Sequence, residues 1–394
     1  MGTHRFSHPI GYILENQEAL VRFFESSAYA HRDPSDPDDA DFVAGNPQEI
    51  VMPEFVEAIQ RAAVPKDKDW YAYKFNEPYA QEAAAAGLGE RRGVPFEPED
   101  VALTDGGFAG LLLSIRVVTD PGDEVVFVSP PWFFYEAIIV AGGARAVRVR
   151  CDLDTWDLDV DAIAGAITER TRAVMVNSPN NPAGRIYPTQ TLERLASVLT
   201  QASERNGRPV YLVSDEAYSR IVFDDRGFTS PTEFYPYSFV VYTYGKQLLT
   251  PGQRIGYVAL PPQMPDREEM RGALMIGQLA MGGHGVPSAV MQRALADLEP
   301  LCVDVKALQR RRDRLVETLR SAGYEVHSPE GTFYLLPKSP DPDDEAFTER
   351  LARDKVYVLP GSIVEMPGYF RISVTGNDEM VERAIPVFEA ARNG

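Results

Sequence analysis

The chain has 394 residues, 44% hydrophobic and 25% charged, so it can bury a large core and is long enough for two domains. Its net charge of −19 excludes nucleic acid and an anionic membrane surface as natural partners, and we interpret it as a solvated acidic surface. The two cysteines, Cys151 and Cys302, exclude a disulfide framework and indicate a reducing compartment. Because we find neither an 18-residue apolar stretch nor a signal-peptide core, we expect a cytoplasmic protein.

Strand and helix patterns alternate through the middle of the chain. Runs rich in apolar and β-branched residues predict strands at residues 123–129, 146–150, 173–176, 210–213 and 238–244. Helical patterns fall at residues 132–141, 160–167 and 191–205. This order is typical of an α/β fold with a largely parallel sheet and helices on both faces. Ligands of such sheets bind beyond the carboxyl ends of the strands.

The last third of the chain has the pattern of a smaller α/β domain. It predicts helices at residues 310–322 and 347–353, a strand–turn–strand unit at residues 324–337, and strands at residues 355–359 and 369–374. We therefore expect three parts: residues 1–44 as an N-terminal segment packing on the small domain, residues 45–290 as the large domain, and residues 291–394 as the small domain.

Polar side chains that can do chemistry follow three of the predicted strands. These are Asn181, Asp215 and Lys246. No acidic residue occurs in the sequence around Lys246, between positions 233 and 266. Burial beside the guanidinium of Arg254 would lower the pKa of Lys246 and so favour its free amine. A free amine suits a Schiff base with a carbonyl cofactor, and an arginine fork suits a phosphate. Taken alone, this segment is explained equally well by a surface lysine and a structural arginine.

Six short sequence motifs follow one another along the chain, at residues 104–110, 177–184, 214–218, 241–246, 254–256 and 370–374. Over residues 45–374 this set resembles the aspartate-aminotransferase family, the fold-type I enzymes that use pyridoxal 5′-phosphate (PLP). The resemblance implies a large PLP-binding domain with a mostly parallel central sheet flanked by helices, and a smaller α/β domain built from the N- and C-terminal segments. It also implies a ping-pong Schiff-base mechanism that moves the amino group of an L-amino acid to a 2-oxo acid.

The resemblance assigns the catalytic roles residue by residue. Lys246 would hold the cofactor as a Schiff base and shuttle the Cα proton. Asp215 would keep the pyridine nitrogen protonated, while Tyr218 and Asn181 would bond to the phenolic oxygen. Trp132 would stack on the cofactor ring. On the residues alone, each has an alternative role: Asp215 as a helix N-cap, Asn181 as part of a plain turn, and Trp132 as a core residue.

The resemblance also assigns the anion-binding groups. A phosphate cup would be formed by Gly106, Gly107, Phe108, Thr243 and Arg254. Tyr71 would reach the phosphate of a partner subunit, which implies a homodimer, although a buried packing tyrosine explains it nearly as well. Arg371 would bind the substrate α-carboxylate, with Asn181 and Gly45 beside it, although a strand-edge arginine is an alternative. No metal site is assigned.

Some positions depart from the family pattern. Phe108 stands where relatives carry a hydroxyl residue, and Gly245 replaces the second serine of the usual Ser-x-Ser-Lys. Some relatives that act on aspartate or glutamate have a lysine at the Phe108 position, and others have an arginine near Gln278. Neither cation is present here, which disfavours dicarboxylic substrates.

Apolar residues could instead line the substrate pocket, although ordinary packing explains them equally well; they are Phe108, Trp70, Tyr73 and Met281. His284 is a candidate for reaching a neighbouring active site, with a surface loop histidine as the alternative. Three other functions stay open at this point. They are another PLP reaction on the same scaffold (β- or γ-elimination, oxidation or decarboxylation), a non-catalytic regulator, and a cofactor-free binding protein.

Overall fold

The computed structural model describes residues 5–280 and 285–393. Met281 and His284 lie outside the described residues, so their suggested roles stay predictions. The α-helices are α1 (His8–Asn16), α2 (Glu18–Ser26), α3 (Ala28–His31), α4 (Pro53–Ala63), α5 (Pro78–Arg92), α6 (Gly106–Arg116), α7 (Tyr135–Ala141), α8 (Val160–Ala166), α9 (Thr189–Asn206), α10 (Tyr244–Gln247), α11 (Arg267–Ala280), α12 (Ala289–Leu298), α13 (Val305–Ser321), α14 (Asp344–Ala352) and α15 (Asp378–Asn393). The strands are β1 (Ala40–Asp41), β2 (Val101–Thr104), β3 (Glu124–Ser129), β4 (Arg145–Arg150), β5 (Thr171–Asn177), β6 (Tyr211–Asp215), β7 (Ser238–Thr243), β8 (Gly256–Ala259), β9 (Tyr334–Leu335), β10 (Val356–Tyr357), β11 (Leu359–Pro360) and β12 (Phe370–Ser373).

A seven-stranded sheet forms the centre of the large part of the molecule. Its strand order is β2-β8-β7-β6-β5-β3-β4, and β8 alone among these strands runs antiparallel to its neighbours. The predicted α/β fold with a mostly parallel sheet is confirmed. The sequence patterns missed β2 and β8 because each is only four residues long, too short for a periodic signal.

Helices cover both faces of this sheet. Along β5, Val174 and Val176 belong to one apolar cluster with the leucines of α9, while Ala173 and Met175 belong to another with those of α6. Successive strand residues point to opposite faces, so both sets are buried and the strand is apolar throughout. Each fully buried aliphatic side chain of this kind contributes roughly 1.5–3 kcal/mol.

A smaller sheet, with the order β11-β12-β9 and all pairs antiparallel, forms a second centre of packing. The N-terminal segment joins it through β1, which pairs in parallel with β10. The same segment also contacts the large part, where Gln17 Nε2 donates to the Phe133 carbonyl at 2.7 Å. Helix α12 packs on α4 and α5, and position 290 lies inside it. The proposed domain limits stay a prediction.

Three local predictions need correction. The helix predicted from residue 132 begins at Tyr135, because Trp132 instead closes a turn by accepting the Tyr135 N–H at 2.9 Å. The strand–turn–strand unit reduces to β9, and the turn at Gly331 makes an isolated bridge to Val222. The strand before Lys246 ends at Thr243, whose hydroxyl accepts the Gly245 N–H and starts α10.

Within the described ranges, no helix is long and apolar enough to cross a bilayer.

Gly256 offers a test of how closely β8 approaches the loop before α6. An added Cβ would overlap the Tyr242 carbonyl oxygen and lie 3.1 Å from the Gly106 Cα. Because both obstacles are backbone, we expect Gly256→Ala to lower the free energy of unfolding by about 1–3 kcal/mol in urea denaturation. Gly165→Ala is the control, since its Cβ meets nothing within 4 Å and alanine favours its helix. Equal denaturation midpoints for the two variants would contradict the expected crowding.

Candidate active site

A cavity of about 230 Å³ lies at the carboxyl ends of β5, β6 and β7. Parallel pairing aligns these ends, with Asn177 opposite Asp215 and Asp215 opposite Val241. The cavity brings together nine residues singled out by the sequence: Gly107, Phe108, Trp132, Asn181, Asp215, Tyr218, Thr243, Lys246 and Arg254. Residues from five separate segments, which end or follow β2, β3, β5, β6 and β7, therefore line one cavity at the edge of the sheet where ligands of such folds bind.

A larger cavity of about 420 Å³ lies beside α5 and α11, and it lacks comparable chemistry. Its arginine, Arg271, is already paired with Asp100 and Glu97. We therefore assign the functional site to the smaller cavity.

One end of the cavity is suited to an anion. The N-terminus of α6 begins at Gly106, and its N-cap residue Asp105 makes no capping bond with its side chain. Arg254 lies over this end and donates to the Pro251 carbonyl at 2.8 Å and to the Asp105 carbonyl at 3.2 Å. Arg254 makes no ion pair within the described residues. Open helix N–H groups beside a guanidinium that forms no ion pair are a favourable setting for a phosphate.

Glycine at position 106 is required by this geometry. Its φ of +75° lies in the left-handed region, and an added Cβ would lie 2.8 Å from Arg254 Nη2. The next residue, Gly107, lies against the Thr243 side chain. Thr243 donates its hydroxyl to the Ile255 carbonyl at 3.4 Å and so lies on the same wall.

Asp215 supplies a buried carboxyl group that is only 7% exposed. It accepts the Tyr135 hydroxyl at 2.6 Å and the Ala217 N–H at 3.1 Å. Burial nevertheless raises the pKa of Asp215 to about 6, against the lowering effects of these bonds and of the Lys246 charge. Burial and the neighbouring carboxylate raise the pKa of Tyr135 well above its usual value, so the phenol stays a donor.

Lys246 enters the cavity from α10, one turn after β7. Its Nζ lies 5.7 Å from the centre of the Tyr218 ring, and it makes no ion pair in the described part of the chain. The neighbouring Gln247 anchors this turn by donating to the carbonyls of Glu299 at 3.1 Å and Leu301 at 2.6 Å. The turn that carries Lys246 is therefore held in place, and its amine forms no ion pair among the described residues.

Arg371 on β12 is 3% exposed and adjoins the cavity through Asn181. Nη1 donates to Asn181 Oδ1 at 3.0 Å and Nη2 to the Val43 carbonyl at 2.9 Å, whereas the buried Nε has no partner. Burial lowers the pKa of Arg371. Among the described residues no carboxylate pairs with it, so a carboxylate ligand would supply both the missing charge and the missing acceptor.

Gly45 lies beside two tyrosines at this end of the site. A Cβ at Gly45 would lie 2.8 Å from the Tyr334 hydroxyl oxygen. The Tyr334 ring lies edge-on to the Tyr218 ring, with the two centroids 6.1 Å apart. Gly45 therefore contacts the site through its backbone, by way of Tyr334.

Tyr71 is the predicted site residue that the structure does not bring to this cavity. It is 58% exposed, and its hydroxyl donates to the Ala63 carbonyl of its own chain. Its suggested role in a partner subunit stays a prediction.

Sequence reasoning missed Tyr135 and Tyr334. Tyr135 belongs to the aromatic run of residues 132–135, and its partner Asp215 is 80 positions away. Tyr334 follows the turn at Gly331. The sequence shows the aromatic run and the turn, but the contacts of Tyr135 and Tyr334 are identified only once distant strands are paired.

Comparison with known proteins decides the family. Residues 38–388 match the family model described as aminotransferase class I and II. The chain belongs to this aminotransferase family. It is 32% identical over 353 residues to the aspartate/prephenate aminotransferase of Thermus thermophilus, covering 88% of this chain and 89% of that one. It is 31% identical to the aspartate aminotransferase of Thermotoga maritima, covering 88% of this chain and 89% of that one.

Solved structures of aminotransferases have the same fold. An aminotransferase from Eubacterium rectale superposes with a TM-score of 0.89 at 29% identity, covering 100% of this chain and 99% of that one. The aspartate aminotransferase of Thermus thermophilus with maleate gives a TM-score of 0.80 at 27% identity, covering 99% and 100%.

The predicted family, fold and enzyme class are confirmed. As an aminotransferase, the protein is a transferase of nitrogenous groups that passes the amino group of an amino acid to a 2-oxo acid. The family uses PLP. The relatives do not favour elimination, oxidation or decarboxylation.

The raised pKa of Asp215 predicts a pH-dependent stability for the cofactor-free aminotransferase. An unfolded carboxyl titrates near about 3.9, so the stabilising effect of protonated Asp215 is complete below that value and is lost as pH rises through about 6. Asp215→Asn removes this dependence. We expect its stability advantage over the wild type, measured by urea denaturation, to grow by about 1.4 kcal/mol between about pH 5 and pH 7.5.

Asp161→Asn is the control for this titration, because Asp161 is on the surface and its side chain is 88% exposed. An advantage of Asp215→Asn that is the same at both pH values would mean that Asp215 titrates normally in the folded protein.

Proposed function

We propose that this aminotransferase binds PLP in the 230 Å³ cavity, works as a homodimer, and prefers amino acids and 2-oxo acids with uncharged side chains. The observation that carries the proposal is that one cavity is lined by an amine, a buried carboxyl and an uncompensated guanidinium, those of Lys246, Asp215 and Arg254. These are the groups needed for the aldehyde, the pyridine nitrogen and the phosphate of PLP.

The contacts support a fit for the cofactor. Arg254 and the open N-terminus of α6 would hold the phosphate, with Gly106 leaving the space that a Cβ would fill. Asp215, oriented by Tyr135, would hold a proton at the ring nitrogen. Trp132 lines the cavity as a flat apolar surface beside the ring site. When bound, PLP supplies an electron-withdrawing ring that takes up the charge left as the Cα–H bond breaks.

The remaining groups bind substrate and move protons. Lys246 would carry the cofactor and afterwards take and return the Cα proton at its Nζ. Arg371 would bind the α-carboxylate, using the Nε that has no protein partner. Asn181 bonds to Arg371 and lines the cavity, so it links the carboxylate site to the cofactor site. Tyr218 would donate to the phenolic oxygen of the cofactor.

A homodimer is supported by the exposed position of Tyr71 and by neighbouring exposed apolar side chains. Several such side chains cluster in two segments, at Tyr71, Tyr73 and Phe75, and at Met275, Ile276 and Leu279. A surface of this kind is suited to a second copy, through which Tyr71 would reach the phosphate of the partner's site.

The substrate class follows from the charges around the cavity. The cations that line or adjoin it in the described residues are Lys246, Arg254 and Arg371, and each already has a role. A second substrate carboxylate would be left without a cation, at a cost of several kcal/mol if buried. The mouth instead carries Phe108, 38% exposed, whose ring packs edge-on against Trp132 at 5.5 Å and Phe134 at 5.6 Å. Although relatives are named for aspartate and prephenate, this wall favours apolar or aromatic side chains.

The first test is the visible absorption of the PLP-loaded protein. We expect a visible band in the wild type that an amino acid removes and a 2-oxo acid restores. Lys246→Ala should lose the band, because the amine that binds the aldehyde is gone. Lys306→Ala, which removes an exposed lysine elsewhere, should keep it. A wild type without the band, or a Lys246→Ala protein that retains it, would refute the assignment.

A second test addresses the substrate class. Phe108→Lys places a cation at the cavity mouth, so we expect kcat/KM for aspartate to rise at least about tenfold and kcat/KM for phenylalanine to fall. Phe108→Leu is the matched control: it keeps an apolar wall and should gain nothing for aspartate. The substrate proposal fails if the wild type already prefers aspartate to phenylalanine.

A further inference from the structure

Tyr334 lies against the carboxylate-binding arginine, and the pairing of two strands explains why. In the antiparallel pair of β9 and β12, Tyr334 is opposite Ser373. Arg371 is two residues before Ser373 and therefore shares its face of the sheet, so Tyr334 and Arg371 are diagonal neighbours. The guanidinium carbon of Arg371 lies 4.0 Å from the centre of the Tyr334 ring.

This contact matters because Arg371 is buried without a counter-charge in the described chain. Two neutral oxygens, from Asn181 and Val43, hold its terminal nitrogens. Those bonds fix the edge of the guanidinium, and the Tyr334 ring supports its face. The Phe133 ring is farther away, at 5.9 Å. A desolvated guanidinium over an aromatic face gains up to about 2 kcal/mol.

The hydroxyl of Tyr334 makes a second set of contacts. Its oxygen faces the Gly45 backbone, where an added Cβ would lie 2.8 Å away, and the charged groups that act on it are Lys246 from α10 and Arg371 from β12. Burial raises the pKa of Tyr334, but these two cations outweigh it and lower the pKa overall. Burial and the neighbouring Tyr334 raise the pKa of Tyr218 well above its usual value.

Resting on the proposed function, we propose that Tyr334 is a positioning residue whose ring orients Arg371 for the substrate carboxylate, a role that does not need its hydroxyl. Loss of the ring weakens carboxylate binding, whereas loss of the hydroxyl leaves it almost unchanged.

The ring is tested with Tyr334→Leu and Tyr334→Met in the PLP-loaded protein. The probe is 3-phenylpropanoate, a carboxylate that has no amine to react, and its Kd is measured by calorimetry. We expect both variants to raise this Kd about tenfold, and to raise the KM of an amino acid more than they lower kcat. Methionine is unbranched and flexible and can fill the space differently from leucine, so the test stands if Tyr334→Leu folds poorly.

The hydroxyl is tested with Tyr334→Phe, which keeps the ring. We expect the Kd of 3-phenylpropanoate to stay within about twofold of the wild-type value. A Kd raised as far as in Tyr334→Leu would mean that the hydroxyl, and not the ring, holds Arg371.

Tyr324→Phe is the matched control. It removes another buried tyrosine hydroxyl, which donates to the Phe388 carbonyl at 2.8 Å, and it should leave the Kd unchanged. An unchanged Kd in the ring-less variants overturns the role of the ring. Failure of the proposed function is distinguished from failure of the Tyr334 proposal by the absorption spectrum, because the wild type itself would then show no visible band. If the wild type binds propanoate but not 3-phenylpropanoate, only the substrate class is wrong, and the variants are compared with propanoate.

Discussion

The parallel pairing of β5, β6 and β7 is the constraint on which the site depends. It brings the carboxyl ends of three strands to one edge, where the chain leaves the sheet and its side chains become available. Asp215 is at the last position of β6, and Lys246 follows β7 by one helical turn. A shift of one residue in either pairing would move these side chains to the opposite face. The buried apolar residues on both faces make such a shift costly.

Uncompensated charge is the second feature of the site. Arg371 and Asp215 are both buried, and neither forms an ion pair within the described residues. Asp215 responds with a pKa raised to about 6, whereas Arg371 is supported by carbonyl oxygens and an aromatic face. Such groups lower the stability of the cofactor-free protein and are satisfied only when ligands of opposite charge bind. The protein thus gives up stability for a site whose charges are already oriented.

The second sheet contributes the substrate end of this arrangement. Arg371 comes from β12, its acceptor Val43 follows β1, and its aromatic support Tyr334 comes from β9. Three segments far apart in the chain therefore surround one guanidinium. Because β1 pairs with β10, the N-terminal segment reaches the site as part of the smaller sheet.

The sequence by itself determined the α/β fold class, the family, and nine of the residues that line the cavity. Strand periodicity and short ordered blocks are local signals, and Lys246, Asp215, Asn181 and Arg254 lie within them. The short strands β2 and β8, the true start of α7 and the contacts of Tyr135 and Tyr334 were decided by tertiary structure. A four-residue strand has too few positions to show a period, and a tyrosine has no local mark of a partner 80 residues away. Strand register and burial determine such contacts, and both exist only once distant segments have packed together.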